Sequence, residues 1–348
     1  MKGGPTGRGL ALVTGASGFV GGSLARALRA QGREVRALSR SPMPDLEAAG
    51  AETIRADVAD APAIERACQG VETVFHAAAR VGIWGRAEEF ERTNIEGTRN
   101  VIEACRRHGV HRLVFTSSPS VIFNDRSLAG VDETLPLGTN FPAHYPRTKA
   151  IAEEHALAAN DPGRLAVTSL RPHLVWGVGD RNLLPRVVTR ARAGRLRIVG
   201  DGHNRVDLTH IDNVVDAHIL AEAALARDSS PAAGRAYFIT NGDPVLLWEW
   251  INEVLSRLEV PPVTRRISLG AARRLGGACE GLWSVFRLKG EPPMTRFLAA
   301  ELAKDHWFDI AAARRDLGYS SRVSMAAGVV AVIPWLRQTL RLEATARG

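Results

Sequence analysis

Cysteine is scarce in this chain of 348 residues, which holds only Cys68, Cys105 and Cys279. An odd count with no CxxC or Cys/His spacing points away from a disulfide framework and from a zinc site, so no metal is expected. Long apolar runs are missing too. The longest late one, residues 326–336, is about half of the roughly 20 residues a spanning helix needs. The opening MKGGPTGRGL lacks the apolar core of a signal peptide, so a cytoplasmic location is the expectation. Tyrosine is rare at 3 residues, which gives weight to the one that stands in a patterned context. No internal repeat, low-complexity tract or nucleic-acid motif occurs, so no nucleic-acid partner is expected.

What is present is an apolar share of 45% and a net charge of +8. The first suffices for a sizeable core. The second is compatible with anionic ligands or membranes, and equally with an arginine-rich genome.

Short buried-strand runs alternate with amphipathic helices over the first 172 residues. Strands are expected at 10–14, 34–38, 52–55, 71–76, 113–116 and 166–171, and helices at 18–31, 61–69, 90–108 and 145–159. This alternation predicts an α/β fold, a Rossmann-type doubly wound parallel sheet. Beyond 172 the texture turns Pro- and Gly-rich. Strands at 196–199 and 237–240 and helices at 247–258 and 311–317 suggest a smaller C-terminal α/β substrate lobe. Residues 1–172 form the expected dinucleotide domain and 173–348 mainly the lobe, with some segments returning to the core.

The first strand runs into Gly15, Ser17, Gly18, Phe19, Val20 and Gly21. Glycines there permit a tight turn, close approach of a pyrophosphate and close helix packing, and the helix start offers free N–H groups. After the second strand, where an acid would hold a ribose 2′-hydroxyl, stand Ser39 and Arg40. A guanidinium attracts a 2′-phosphate, so NADP(H) is favoured over NAD(H). Asp57, followed by Val58, is placed for the adenine amino group.

Tyr145 and Lys149 lie one helical turn apart on one face. Reduction of a ketone by hydride needs a proton donor. A phenol near pKa 10 serves better if a neighbouring ammonium lowers it. Ser117 and Ser118 end a strand on the same edge of the sheet and offer a hydroxyl to the substrate oxygen.

Together the segments TGASGFVG (14–21), FHAAA (75–79), NIEGT (94–98), VFTSSPSV (114–121), YPRTK (145–149) and LRPHLVWG (170–177) resemble the extended short-chain dehydrogenase/reductases. The resemblance makes Tyr145, Lys149 and Ser118 the catalytic group. It adds Ala77, Ala78 and Pro172 to the cofactor residues. VGIWG (81–85), the serine loop, WEWINEVL and GEPPMTRF resemble the 3β-hydroxysteroid dehydrogenase branch. That branch holds sterol-4α-carboxylate 3-dehydrogenases and the bacterial 2-alkyl-3-ketoalkanoate reductases of olefin biosynthesis, the latter being the closer match. The resemblance implies a lipid-like β-keto or β-hydroxy acid as substrate and a homodimer, and it leaves assembly with neighbouring pathway enzymes open. A sugar-nucleotide epimerase or dehydratase and a non-catalytic dinucleotide-binding regulator are the rivals on the same fold.

Candidate substrate residues are Ser118, Trp84, Trp176 and Arg205. The tryptophans (176, 248 and 250) either line an apolar pocket or belong to the core, and Arg205 meets either a carboxylate or a surface acid. Residues 265–289 carry six cations against Glu280 alone, interleaved with Leu, Trp and Phe. This segment reads either as a membrane- or partner-facing helix or as a lid over the site, with Gly276, Gly277 and Gly281 weakening the helix.

Overall fold

Seven short runs of β-branched and aliphatic residues pair in parallel to make the centre of the molecule. In the computed structural model, which describes residues 9–342, they are β1 (Ala11–Thr14), β2 (Val35–Ser39), β3 (Glu52–Arg55), β4 (Thr73–His76), β5 (Arg112–Thr116), β6 (Ala166–Pro172) and β7 (Arg235–Ile239). Their order across the sheet is β7-β6-β5-β4-β1-β2-β3. The order reverses between β1 and β4, which opens a crevice at the carboxyl ends of the strands, where ligands of such sheets bind. Every residue of β1 and β4 is buried. Such strands are largely apolar on both faces, and their buried polar side chains, such as Thr14 and His76, bond each other at 2.7 Å.

Helices cover both faces. Phe19–Ala30 buries Leu24 and Leu28 on one face, where Ile211–Leu225 packs beside it. Ala61–Cys68, Gly97–Arg107 and His144–Ala158 close the other face over Leu12, Val74, Leu113 and Val167.

The structure revises several sequence-based expectations. The strand expected at 237–240 is β7, an edge of the core sheet. The helix expected over 90–108 is broken into Ala87–Phe90, a π-helical turn Glu91–Glu96 and Gly97–Arg107. One residue too many per turn is often a functional device, and here it turns Asn94 inward. The Asn94 side chain bonds the backbone N–H of Arg80 at 2.7 Å and the Thr148 hydroxyl at 2.9 Å. Residues 269–286 are helical despite four glycines. Gly276 is needed there, because a Cβ would stand 2.6 Å from the carbonyl carbon of Thr295.

The second lobe has its own core, in which Trp176, Trp248, Trp250, Val254 and Val332 are buried together. Its small sheet joins Val245–Leu246, Arg205–Val206, His306–Phe308 and Leu128–Val131. No helix among the described residues is long and apolar enough to cross a membrane.

A buried histidine ties a helix to the sheet. His218 Nδ1 donates to the Val214 carbonyl at 2.7 Å, so Nε2 accepts from the Thr116 hydroxyl at 2.8 Å. Burial holds His218 down at about 4. An unfolded chain protonates this ring below about 6.5 and the folded one does not. The stability that His218 contributes is therefore complete above pH 6.5 and drains away as pH falls toward 4. The gap in urea midpoint between the wild type and His218→Gln should narrow steadily from pH 7 to pH 5. A gap that stays constant would mean the ring is charged in the folded state.

Candidate active site

The crevice at the sheet's switch point is floored by the turn from β1 into the Phe19–Ala30 helix. Gly15 has φ +69°, and a Cβ there would lie 2.7 Å from the backbone of Ala78, so the turn and the end of β4 are in bare backbone contact. Gly21 is as constrained, since its Cβ would stand 2.5 Å from the Gly15 carbonyl oxygen. Gly18 begins the helix with no side-chain cap, so the first N–H groups face the crevice unspent. The Ser17 and Ser39 hydroxyls meet at 2.5 Å, joining this turn to the end of β2.

The cleft measures about 400 Å³. Its walls include every residue expected to touch a dinucleotide: Gly15, Ser17, Gly18, Phe19, Val20, Gly21, Ser39, Arg40, Asp57, Val58, Ala77, Ala78, Tyr145, Lys149 and Pro172. Ser118 lines it as well. Arg40 is exposed and makes no ion pair among the described residues, while Asp57 pairs with Arg92 at 3.0 Å. The Ser117 hydroxyl is buried against the cleft with no hydrogen-bond partner among the described residues. An uncapped helix start, a free guanidinium and an orphaned hydroxyl on one continuous cleft fit a bound dinucleotide.

The reacting end is built by three elements. Ser118 follows β5, Tyr145 and Lys149 come from the His144–Ala158 helix, and Pro172 ends β6. Ser118 Oγ accepts from the Ser120 hydroxyl at 3.0 Å and from its N–H at 3.3 Å, which leaves the Ser118 hydrogen free to point at Tyr145. Lys149 is 2% exposed. Its Nζ donates to the Thr116 carbonyl at 2.6 Å and lies 4.0 Å above the Phe115 ring. Here the expectation that Lys149 lowers Tyr145 needs revision. Burial pushes the Tyr145 phenol up to about 12, opposed by the bond from Ser118, and the Lys149 amine is directed instead to the Thr116 carbonyl of β5. Burial likewise brings Lys149 down to about 7, against the pull of Glu153.

The expected substrate residues other than Ser118 are not brought to this cleft. Trp176 is fully buried in the second core, its ring 5.2 Å from Trp250 and 5.3 Å from His210. Arg205 is exposed on a short strand whose N–H donates to Asp305 at 2.7 Å. Trp84 lines a separate pocket with Phe297 and Gly281. The cleft wall instead uses Val81, Val175, Asn182 and Leu183, and Asp180, which caps the next helix through Asn182 and Leu184 N–H at 2.7 and 2.8 Å. The sequence hinted at this cap, as an aspartate three residues ahead of an apolar helical run.

The 3-beta hydroxysteroid dehydrogenase/isomerase family matches residues 12–269. The chain belongs to this family. It is an oxidoreductase with a Rossmann-like fold that works with a nicotinamide dinucleotide. A 2-alkyl-3-oxoalkanoate reductase of Stenotrophomonas maltophilia is 49% identical over 91% of this chain and 96% of its own. One from Shewanella oneidensis is 38% identical over 92% and 84%. Among solved structures, MoeE5 in complex with UDP-glucose and NAD is 28% identical, with TM-score 0.72 over 95% of this chain and 99% of the other.

Two substitutions probe this geometry. Gly21→Ala forces its methyl into the Gly15 carbonyl and should weaken dinucleotide binding by about tenfold or more, read by nicotinamide fluorescence. Unaltered affinity would show that the turn yields. Lys149→Met removes a cation whose burial costs stability. Since the folded chain releases the Lys149 proton near pH 7 and the unfolded chain near pH 10.5, stability rises between those values. The variant should melt above the wild type at pH 6, with the difference closing as pH climbs toward 10. A lower melting temperature at pH 6 would show that the Thr116 bond and the Phe115 contact outweigh the burial cost.

Proposed function

We propose that the protein reduces a 2-alkyl-3-oxoalkanoic acid to the 3-hydroxy acid, with NADPH as the reductant. The observation that carries this reading is the Stenotrophomonas relative of that name, which is 49% identical over nearly the full length of both chains. The geometry agrees with it. The wall carries Val81, Pro172, Val175 and Leu183 beside Asn182 and Asp180, the latter spent on capping the next helix, and its apolar part suits alkyl chains.

The bound dinucleotide supplies a hydride to the carbonyl carbon. Tyr145, with its phenol raised to about 12, holds its proton at neutral pH and donates it to the oxygen as negative charge develops. The Ser118 O–H, left free by the two bonds from Ser120, steadies that oxygen. Lys149, one helical turn along and bonded through Nζ to the Thr116 carbonyl, fixes the helix face that presents the phenol. Arg40 supports the choice of NADPH, because an unpaired guanidinium at the end of β2 attracts a 2′-phosphate where an acid would repel it.

The test follows reduced nicotinamide absorbance with a long-chain 2-alkyl-3-oxo acid, against a 4-carboxysterol in the oxidative direction. Tyr145→Phe should lower kcat on the order of a hundredfold or more with the keto acid. Arg40→Ala should raise KM for NADPH about tenfold and leave NADH unchanged. Turnover of the sterol acid alone would overturn the substrate, and equal use of NADH and NADPH by the wild type would overturn the cofactor.

A further inference from the structure

The helix Leu269–Phe286 carries two different apolar faces, and only one is used for packing. The packed face holds Ala272 and Gly276, set against the backbone at Thr295, and Glu280, whose carboxylate takes the Arg296 N–H and Nε at 2.7 Å each. About a quarter turn away runs a second ridge of Leu275, Leu282 and Phe286, which fall within about 40° of one another on a helix of 3.6 residues per turn. Val285 flanks the ridge and Leu288 extends it. Their exposures are 48%, 47% and 66% for the ridge, 76% for Val285 and 42% for Leu288. These are five of the eight large apolar side chains most exposed among the described residues.

Isolated exposed leucines are ordinary, but an aligned ridge marks a contact surface. Arg274, Arg287 and Lys289 border this one, all exposed and without an ion pair among the described residues. Arg273, on the far side, is by contrast held by Asp125. A second copy of the chain would bring these cations against their own kind. A ridge one side chain wide also falls well short of the roughly 1,000 Å² of a specific protein interface. A shallow apolar ridge rimmed by unpaired cations matches a surface that is apolar below and anionic above.

We propose that the 275–289 face docks on an anionic lipid bilayer. Phe286, Val285 and Leu282 enter the boundary between headgroups and acyl chains, while Arg274, Arg287 and Lys289 meet the headgroup phosphates. The face lies beside the mouth of the active site. Val81, 58% exposed, lines the cleft, and a Cβ on the next residue, Gly82, would stand 3.1 Å from Glu291 Oε1. The other oxygen of Glu291 holds Arg186 at 2.7 Å, on the helix whose first residue, Leu183, is cleft wall. The segment leaving the ridge therefore crosses the cleft's rim. A docked molecule presents that rim to the bilayer, whatever apolar substrate the cleft takes.

The test is flotation of the full chain with vesicles of phosphatidylcholine, alone or with roughly one third phosphatidylglycerol, without substrate. The wild type should float with the anionic vesicles at low salt and be released by added salt. The pair Val285→Asp with Phe286→Asp, and separately Arg287→Ser with Lys289→Ser, should each lower partition about tenfold. Dinucleotide affinity should be unchanged in both pairs, which shows they are folded. Several outcomes would overturn the proposal: no flotation of the wild type, equal flotation with neutral vesicles, or variants that float as the wild type does. It is equally overturned if the variants change only the oligomeric state, which would make the ridge a protein contact. None of these readouts involves turnover, so they stand apart from the test of the substrate.

Discussion

A lysine ammonium in the dry centre of the molecule organises the reacting end of the cleft. Burying Lys149 costs several kcal/mol unless its surroundings answer the charge. They answer it from three directions: the Thr116 carbonyl at the end of β5, the face of Phe115, and Glu153 one turn further along the same helix. Glu153 is itself buried and must be paired. Arg171 of β6 takes it through Nε at 3.1 Å and Nη2 at 2.5 Å, and the Ser169 hydroxyl adds a bond at 2.9 Å. Arg171 in turn lies 5.2 Å from the Phe238 ring of β7. Removing Glu153 or Arg171 would strand its partner as a buried charge, a cost of about 3–5 kcal/mol for such a pair. The helix that carries Tyr145 is thus fastened to β5 and β6 by electrostatics as well as by packing.

A second network fastens the cofactor turn to the same helix, and its proton directions can be worked out. The Thr98 hydroxyl donates to the Asn94 carbonyl at 2.6 Å, so it accepts from His76 Nε2 at 3.0 Å. His76 Nδ1 then accepts from Thr14, whose oxygen takes the Ala78 N–H at 3.2 Å. Burial, helped by the charge of Lys149, holds His76 near 3 and keeps it neutral. Asn94 completes the chain by reaching Thr148, the residue before Lys149. The glycine turn, the end of β4 and the tyrosine helix are therefore positioned by one chain of bonds. Hydride donor and proton donor must be held in register for transfer, and this chain links the elements that would hold each.

How much of this the sequence disclosed depends on whether a residue's job is set by local spacing or by distant neighbours. The glycine turn and the Tyr145–Lys149 pair are local, and all of their residues line one cleft. Arg40 is local too, because it sits where β2 must end. The tryptophans are not. Indole suits a core as well as a pocket, and only the packing of Trp176 against Trp250 and His210 decides for the core. Arg205 misleads for a like reason: its neighbour Asp305 is a hundred residues away and fixes its backbone at the surface. The inward turn of Asn94 depends on a π-helical register, which a 3.6-residue period hides. Spacing alone points Lys149 at Tyr145, yet the amine's direction is set by Thr116 and Phe115, which lie on β5.

The division between floor and wall explains how one fold serves unlike substrates. The floor of the cleft comes from strand ends and helix starts, locked by the two networks, and it fixes where a dinucleotide and a proton donor can stand. The wall opposite comes from the loop at Val81, which Asn94 of the second network holds through the Arg80 backbone, and from the short strand at Val175 and the helix start at Leu183, which lie outside both networks. Changes in the wall leave the chemistry in place and alter only what fits against it. A sugar nucleotide is bound by MoeE5, which shares this fold at 28% identity, and binding one needs polar groups to meet its phosphates. Here the wall offers Val81, Val175 and Leu183 beside Asn182 and Asp180, with Arg186 paired to Glu291 at the rim. An apolar chain can pack on those three side chains without breaking any bond, while the rim cation Arg186 is already held by Glu291. The wall thus selects by what it withholds.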